Sequence, residues 1–200
     1  MSKPIDSWFD LLQVAHPASK AKGWWPEHKN RPVQEQLACF HSEISEAFEE
    51  FRAGQMETWF SLNGTKVAND HIYFQGTLAY TVVDGVQVAV KPEGFWTEIS
   101  DLIIRLADSA GKYGWSPKAY MPEVSQAVTI PQLICALHAC VCGMAAWDDE
   151  WHRKDIVEEK LGAILTHVSI YPHAPNLWPL VELKFTYNHT RPFRHGNRQA

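Results

Sequence analysis

No stretch of the 200 residues is apolar over the roughly 20 positions a membrane-spanning helix needs. The opening segment MSKPIDSWFDLLQVAHPASK also lacks the charged-then-apolar order of a secretory leader. Both absences predict a soluble, cytoplasmic chain with no membrane contact. Basic charge is scarce as well: 18 Lys and Arg stand against 23 Asp and Glu, a net charge of −5. That balance gives no general grip on nucleic-acid backbone, although a local basic cluster can still hold a small phosphorylated ligand. Cysteine is limited to four residues, and Cys135, Cys140 and Cys142 share one apolar segment. This is not the spacing of a secreted disulfide framework, so reduced core thiols are expected. Internal repeats, low-complexity tracts and an interdomain linker are missing too, which leaves residues 1–200 as one domain. Finally, no Glu is followed three residues later by a His. That pattern is what a carboxylate-bridged di-iron bundle requires, so iron chemistry is disfavoured.

What the chain does have is apolar material, 46% hydrophobic and 12% aromatic, enough for a substantial core. Residues 5–15 read as a short amphipathic helix ending at HPASKAKGWWPEHKNRP, where prolines, Gly23 and charges predict an irregular loop. Trp24 and Trp25 in that loop are either a plug for the end of the core or a stacking wall for a flat ligand. From Val33 to Arg52, Leu37, Phe40, Ile44, Ala47, Phe48 and Phe51 recur at helical spacing, with Gly54 as the stop. Residues 55–91 change character, and the β-branched residues on both sides of Asp84-Gly85 predict a β-hairpin inserted between helices. A third helix follows over about 97–113, with Ile99, Leu102, Ile103 and Leu106 forming its core stripe. Further helices are predicted over QLICALHACVCGMAAW, DIVEEKLGAILTHVSIY and LWPLVELKFTYN, before a basic tail.

The carboxylates carry the chemistry. Glu43, Glu46 and Glu50 share one side of their helix beside its apolar stripe, with Glu49 nearby. Like charges so placed repel by a few tenths of a kcal/mol per pair, so either water screens them or a cation compensates. Glu98 and Asp101 repeat the i, i+3 spacing beside the next stripe, with Arg105 one turn on as a partner for the acids. Two such helices packed antiparallel would bring the acids together, and oxygen-only ligands suit Mg²⁺, with Mn²⁺ as a substitute. Lys184, Tyr187 or Asn188, and Arg191 also recur at helical spacing and can point one way before Pro192. Cys135, His138 and Cys142 line one stripe of an apolar helix; with no second ligand pair evident, buried core is the expectation rather than zinc.

The blocks FHSEISEAFEEFR, KPEGFWTEISDLIIRLADSAGKYG and KFTYNHTRPFRHGN together resemble the MazG-like branch of the all-α nucleoside triphosphate pyrophosphohydrolases. AHPASKAKGWW matches more weakly, and residues 118–175 carry no matching motif. The resemblance implies an all-α helical bundle, here with a hairpin-containing insertion over about 55–91, that assembles as a homodimer or homotetramer. It implies Mg²⁺-dependent hydrolysis of a nucleoside triphosphate to the monophosphate and pyrophosphate. Glu43, Glu46, Glu98 and Asp101 then become metal ligands, with Glu50 as a further acid and Glu43 or Glu46 handling the attacking water. Lys184, Asn188 and Arg191, with Arg194 and His195, become phosphate contacts, and Trp24 or Trp25 stacks on the base. A phosphoribosyl-ATP pyrophosphohydrolase uses similar carboxylates, and a helical binding protein without turnover is the alternative from another class.

Overall fold

The helix carrying Glu98 forms the centre of the molecule. In α3 (Phe95–Tyr113), 14 of 19 residues are buried, so apolar residues alone cannot account for its burial, and Thr97, Glu98, Ser100, Asp101 and Ser109 go inside with them. The helix ends at Gly114, whose φ of 68° lets its N–H return to the Ala110 carbonyl. Around α3 pack α1 (Trp8–Ala21), α2 (Val33–Arg52) and α6 (Trp178–Thr190). A second pair, α4 (Ile130–Met144) and α5 (Lys154–Ile170), packs together and against α2 through α4. The Thr129 hydroxyl accepts from the Gln132 amide while the Gln132 side chain accepts from Thr129, a reciprocal cap that starts α4. This computed structural model describes residues 3–25, 31–121, 129–145 and 154–193.

The expectation of an all-α bundle with one hairpin is overturned: the fold is mixed, helix-dominated but carrying two three-stranded antiparallel sheets. One has the order β2 (Thr65–Lys66), β1 (Trp59–Leu62), β6 (Lys91–Glu93), and the other runs β3 (Tyr73–Gln75), β4 (Leu78–Val83), β5 (Val86–Ala89). The Asp84-Gly85 hairpin does form, with Val83 opposite Val86 and φ of 50° and 78° at the two turn residues. A second turn of the same kind, Asn63-Gly64 with φ of 51° and 80°, joins β1 to β2. The sheets have a small core of their own, Phe60, Ala79 and Val90, against which Leu183 of α6 packs. Burying these apolar faces against one another is what lets so short a set of strands persist.

Strand β6 leads straight into α3 through Gly94, whose φ of 113° belongs to glycine alone. A Cβ there would stand 2.4 Å from the Glu57 carbonyl oxygen. The sheet region is thus joined rigidly to the helix that bears the acids.

The first helix also departs from expectation, continuing through Pro17 to Ala21 where an irregular loop was predicted from residue 16 onward. Pro17 forfeits one backbone hydrogen bond, but its neighbours hold the turn in place. The His16 ring meets Asp108 of α3 at 2.9 Å, and His16 Cβ crosses α3 at Gly111, where a side chain would leave only 2.7 Å.

Candidate metal and phosphate site

Helices α2 and α3 run antiparallel: Tyr113 reaches the Arg31 carbonyl near one end, Arg105 meets Glu43 midway, and Glu98 lies against Glu46 further along. This brings Glu43, Glu46 and Glu98 to one point, each offering a carboxylate oxygen within 4.8 Å of the others. Glu43 and Glu98 are buried and Glu46 is exposed, so the cluster opens to solvent on its α2 side. Asp101 lies beside these three with both oxygens engaged: Oδ1 accepts from Asn188 at 3.0 Å, and Oδ2 faces the Lys184 ammonium at 3.4 Å. Glu50 turns away, its Oε2 accepting from the Trp59 indole N–H of β1 at 2.7 Å.

Burial drives the electrostatics. It pushes the Glu98 carboxyl up to about 8 against the opposing pull of Lys184, and the Glu43 carboxyl to about 7, with Asp101 adding to the rise and Arg105 resisting it. Asp101 is itself buried, yet Lys184 and Arg105 hold it below the usual carboxylate range. Lys184 is fully enclosed, with its ammonium 2.9 Å from Glu98 Oε1 and 3.0 Å from the Pro92 carbonyl oxygen. Its acids raise its pKa despite burial, so it stays charged.

The donor set fits a hard divalent cation. Three carboxylates converge, two of them too crowded and dry to be ionised comfortably, and Glu98 Oε2 is buried with no protein hydrogen-bond donor assigned to it. A divalent cation would displace the protons that burial forces onto Glu43 and Glu98.

Next to the acids, between α1, α3 and α6, lies a pocket of about 100 Å³. Asp101 and Arg105 form its inner wall, and Lys22, Trp24, Arg31 and Arg191 contribute to the rest. The paired tryptophans divide the two roles open to them. Trp25 is buried, its indole N–H donating to Asp108 at 2.8 Å, and serves as the plug; Trp24 is part of the pocket wall, with the Arg31 guanidinium 5.8 Å from its ring. Lys22 holds the end of α6, donating to the His189 and Arg191 carbonyls at 2.7 and 2.6 Å.

Of the residues expected to contact phosphate, Asn188 and Arg191 line the pocket, whereas Lys184 is spent inside the acid cluster. Arg194 and His195 lie outside the described residues. Sequence reasoning missed Lys91 and Glu93, which β6 delivers to the cluster. Lys91 pairs with Glu93 at 2.6 Å and approaches Glu98 at 3.8 Å, while Glu93 also accepts from Ser61 at 2.9 Å and, with the Lys91 and Lys184 ammoniums beside it, is held below the usual carboxylate range. Their signal was present in KPEG, directly upstream of the second acidic pair. Arg31 was missed too, four residues before the Glu35 it pairs with at 2.6 Å.

One further expectation is corrected here. Cys135 and Cys142 are exposed and His138 is half-buried, because α4 buries Leu133, Ile134, Leu137, Cys140, Val141 and Met144 instead. No helix among the described residues is long and apolar enough to cross a membrane. No protein-family model, curated protein or solved structure matches the chain.

Proposed function

We propose that this chain is a Mg²⁺-dependent nucleoside triphosphate pyrophosphohydrolase that cleaves between the α- and β-phosphates to release a nucleoside monophosphate and pyrophosphate. The observation that carries the reading is the meeting of Glu43, Glu46 and Glu98 beside a pocket with a cationic and aromatic wall. The resemblance of the three sequence blocks to MazG-like enzymes points the same way. The setting that goes with it is cytoplasmic, and the assembly a homodimer or homotetramer.

Glu43, Glu46 and Glu98 are the metal ligands, with Asp101 positioned behind them by Lys184 and Asn188. Mg²⁺ bound there supplies charge neutralisation on the polyphosphate. Arg105 and Arg191 face the phosphates from the pocket wall, and Trp24 offers a ring on which a base gains roughly 1 to 3 kcal/mol by stacking. Glu46 is the choice for accepting the proton of the attacking water. It is exposed and accepts only from Ser42 among the described residues, whereas Glu43 is committed to Arg105. The water oxygen bonds to the α-phosphorus, its proton passes to Glu46, and the bond to the bridging oxygen breaks with pyrophosphate leaving.

Incubation with each ribo- and deoxyribonucleoside triphosphate and Mg²⁺ is expected to yield pyrophosphate. Release of orthophosphate alone would overturn the bond assignment. Glu98→Gln should abolish turnover with the fold intact, and full activity in that variant would show that the acids have been misassigned.

A further inference from the structure

Helix α2 presents a second set of metal-binding groups on its other side. His41 precedes Glu43 by two residues, which turns it about 200° around the helix axis, away from the acids and toward α4. There its Nδ1 lies 2.8 Å from Nδ1 of His138, and its Nε2 lies 3.9 Å from Sγ of Cys142. The two imidazole rings are within 20° of parallel with centroids 5.0 Å apart. A nitrogen contact of 2.8 Å is closer than parallel faces can approach, so the rings meet edge to edge, one Nδ1–H donating to the Nδ1 of the other ring. All three side chains are at least partly exposed, so an ion can reach them from solvent.

We propose that His41, His138 and Cys142 bind Zn²⁺, joining α2 to α4. His138 and Cys142 stand at i and i+4, one turn apart on the same face of α4, a spacing at which two side chains can share an ion. The third ligand comes from α2 by a half-turn of the His41 ring about Cβ–Cγ, a soft rotation. At present Cε1 lies between the two ring nitrogens, in the position flanked by His138 and Cys142; the half-turn puts Nε2 there. Ligand nitrogens about 3.3 Å apart around a tetrahedral Zn²⁺ follow from zinc–nitrogen bonds of about 2.05 Å. As the side chains stand, His138 and Cys142 meet different nitrogens of His41, so the three donors converge on one ion only once the side chains rotate. Cys135 is not the fourth ligand: it is seven residues from Cys142, about 10.5 Å along the helix axis, too far to share one ion. Water takes that position, which keeps the site open. The thiolate and imidazole donors select Zn²⁺ over the Mg²⁺ that suits the carboxylates on the other face.

The test is titration of the chelator-treated full chain with Co²⁺ and then Zn²⁺, in excess Mg²⁺ to occupy the acidic cluster. One equivalent of Co²⁺ is expected to bind with tetrahedral visible bands and a thiolate-to-cobalt charge-transfer band, both erased by Zn²⁺. His138→Ala and Cys142→Ser should each weaken Zn²⁺ binding at least about tenfold, since losing even a supporting contact to a ligand costs that much. Circular dichroism of the two variants should be unchanged, and Glu98→Gln should bind Zn²⁺ like the parent chain. The proposal is overturned if the thiolate band is absent, if both α4 variants bind as before, or if Glu98→Gln alone removes binding. This outcome is independent of nucleotide hydrolysis, so either proposal can fail without the other.

Discussion

On α3, Glu98 and Asp101 are 2% and 9% exposed, and both are tied to α6 through Lys184, with Asn188 adding a second hold on Asp101. On α2, Glu46 sits at the same three-residue spacing from Glu43, but it is exposed and held only by Ser42 of its own helix among the described residues. An identical acidic spacing has therefore become a rigid buried network on one helix and a solvent-facing group on the other. The difference comes from the neighbours. α3 is wrapped by α1, α2, α6 and β6, while the Glu46 face of α2 is not covered. Rigidity suits a group that positions charge, and exposure suits a group that exchanges a proton with water.

Breaking the buried side should cost most. Lys184→Met strands Glu98 and Asp101 without their shared ammonium and is expected to destabilise the fold by about 3 to 5 kcal/mol, read by urea unfolding. Glu98→Gln in the same assay should cost far less, because burial already favours the neutral acid at that position. A Glu98→Gln loss as large as that of Lys184→Met would put the network's centre in the wrong place.

The pH dependence sharpens the same contrast. Glu98 and Glu43 rise in the folded state to about 8 and about 7 from 4.5, so between these values the folded chain holds protons that the unfolded chain has lost. Their contribution to stability is therefore complete below about pH 4.5, is lost as pH rises, and levels off above about pH 8. Glu93 and Asp101, held low, act oppositely, and their contribution is lost only as pH falls below the ordinary carboxylate range. Urea unfolding in chelator should show stability falling from pH 5 to 8, and saturating Mg²⁺ should flatten that fall. A profile equally steep with and without Mg²⁺ would argue against cation binding at these acids.

Smaller effects are expected on the open side. Arg105→Met removes a 40% exposed partner of Glu43 and should cost about 1 kcal/mol. Glu46→Gln should change stability by no more than about 0.5 kcal/mol while lowering turnover at least tenfold, which steady-state kinetics would read. Retained turnover would remove Glu46 from the proton-accepting role.

Local pattern was legible wherever it was strong. The bounds of α2 follow from its apolar stripe and the Asp84-Gly85 hairpin from its turn chemistry, whereas Arg105, one turn from Asp101, pairs instead with Glu43 of α2. Long-range pairing was hidden. β1 and β6 are strands of four and three residues, too short to show alternation, and Phe60 meets Pro92 across 31 intervening residues that no local signal spans. Asn63-Gly64 carried the same turn chemistry as Asp84-Gly85, but without long β-branched flanks. Pro17 read as a helix stop because its cost is local, whereas the contacts of His16 with Asp108 and Gly111 that hold that turn are tertiary. The orientation of α4 could not be read from an apolar segment whose cysteines and histidine pass for core.

By itself the sequence determined which helices form, which acids they carry and that those acids lie beside apolar stripes, because helical periodicity is a property of neighbours along the chain. Only the tertiary structure decided that Lys184 is enclosed among the acids, that Glu50 turns to Trp59, that β6 brings Lys91 and Glu93 to Glu98, and that His41 meets His138 and Cys142. These outcomes depend on which elements pack together, and the energy that selects them comes from burial and charge pairing between residues far apart in the chain.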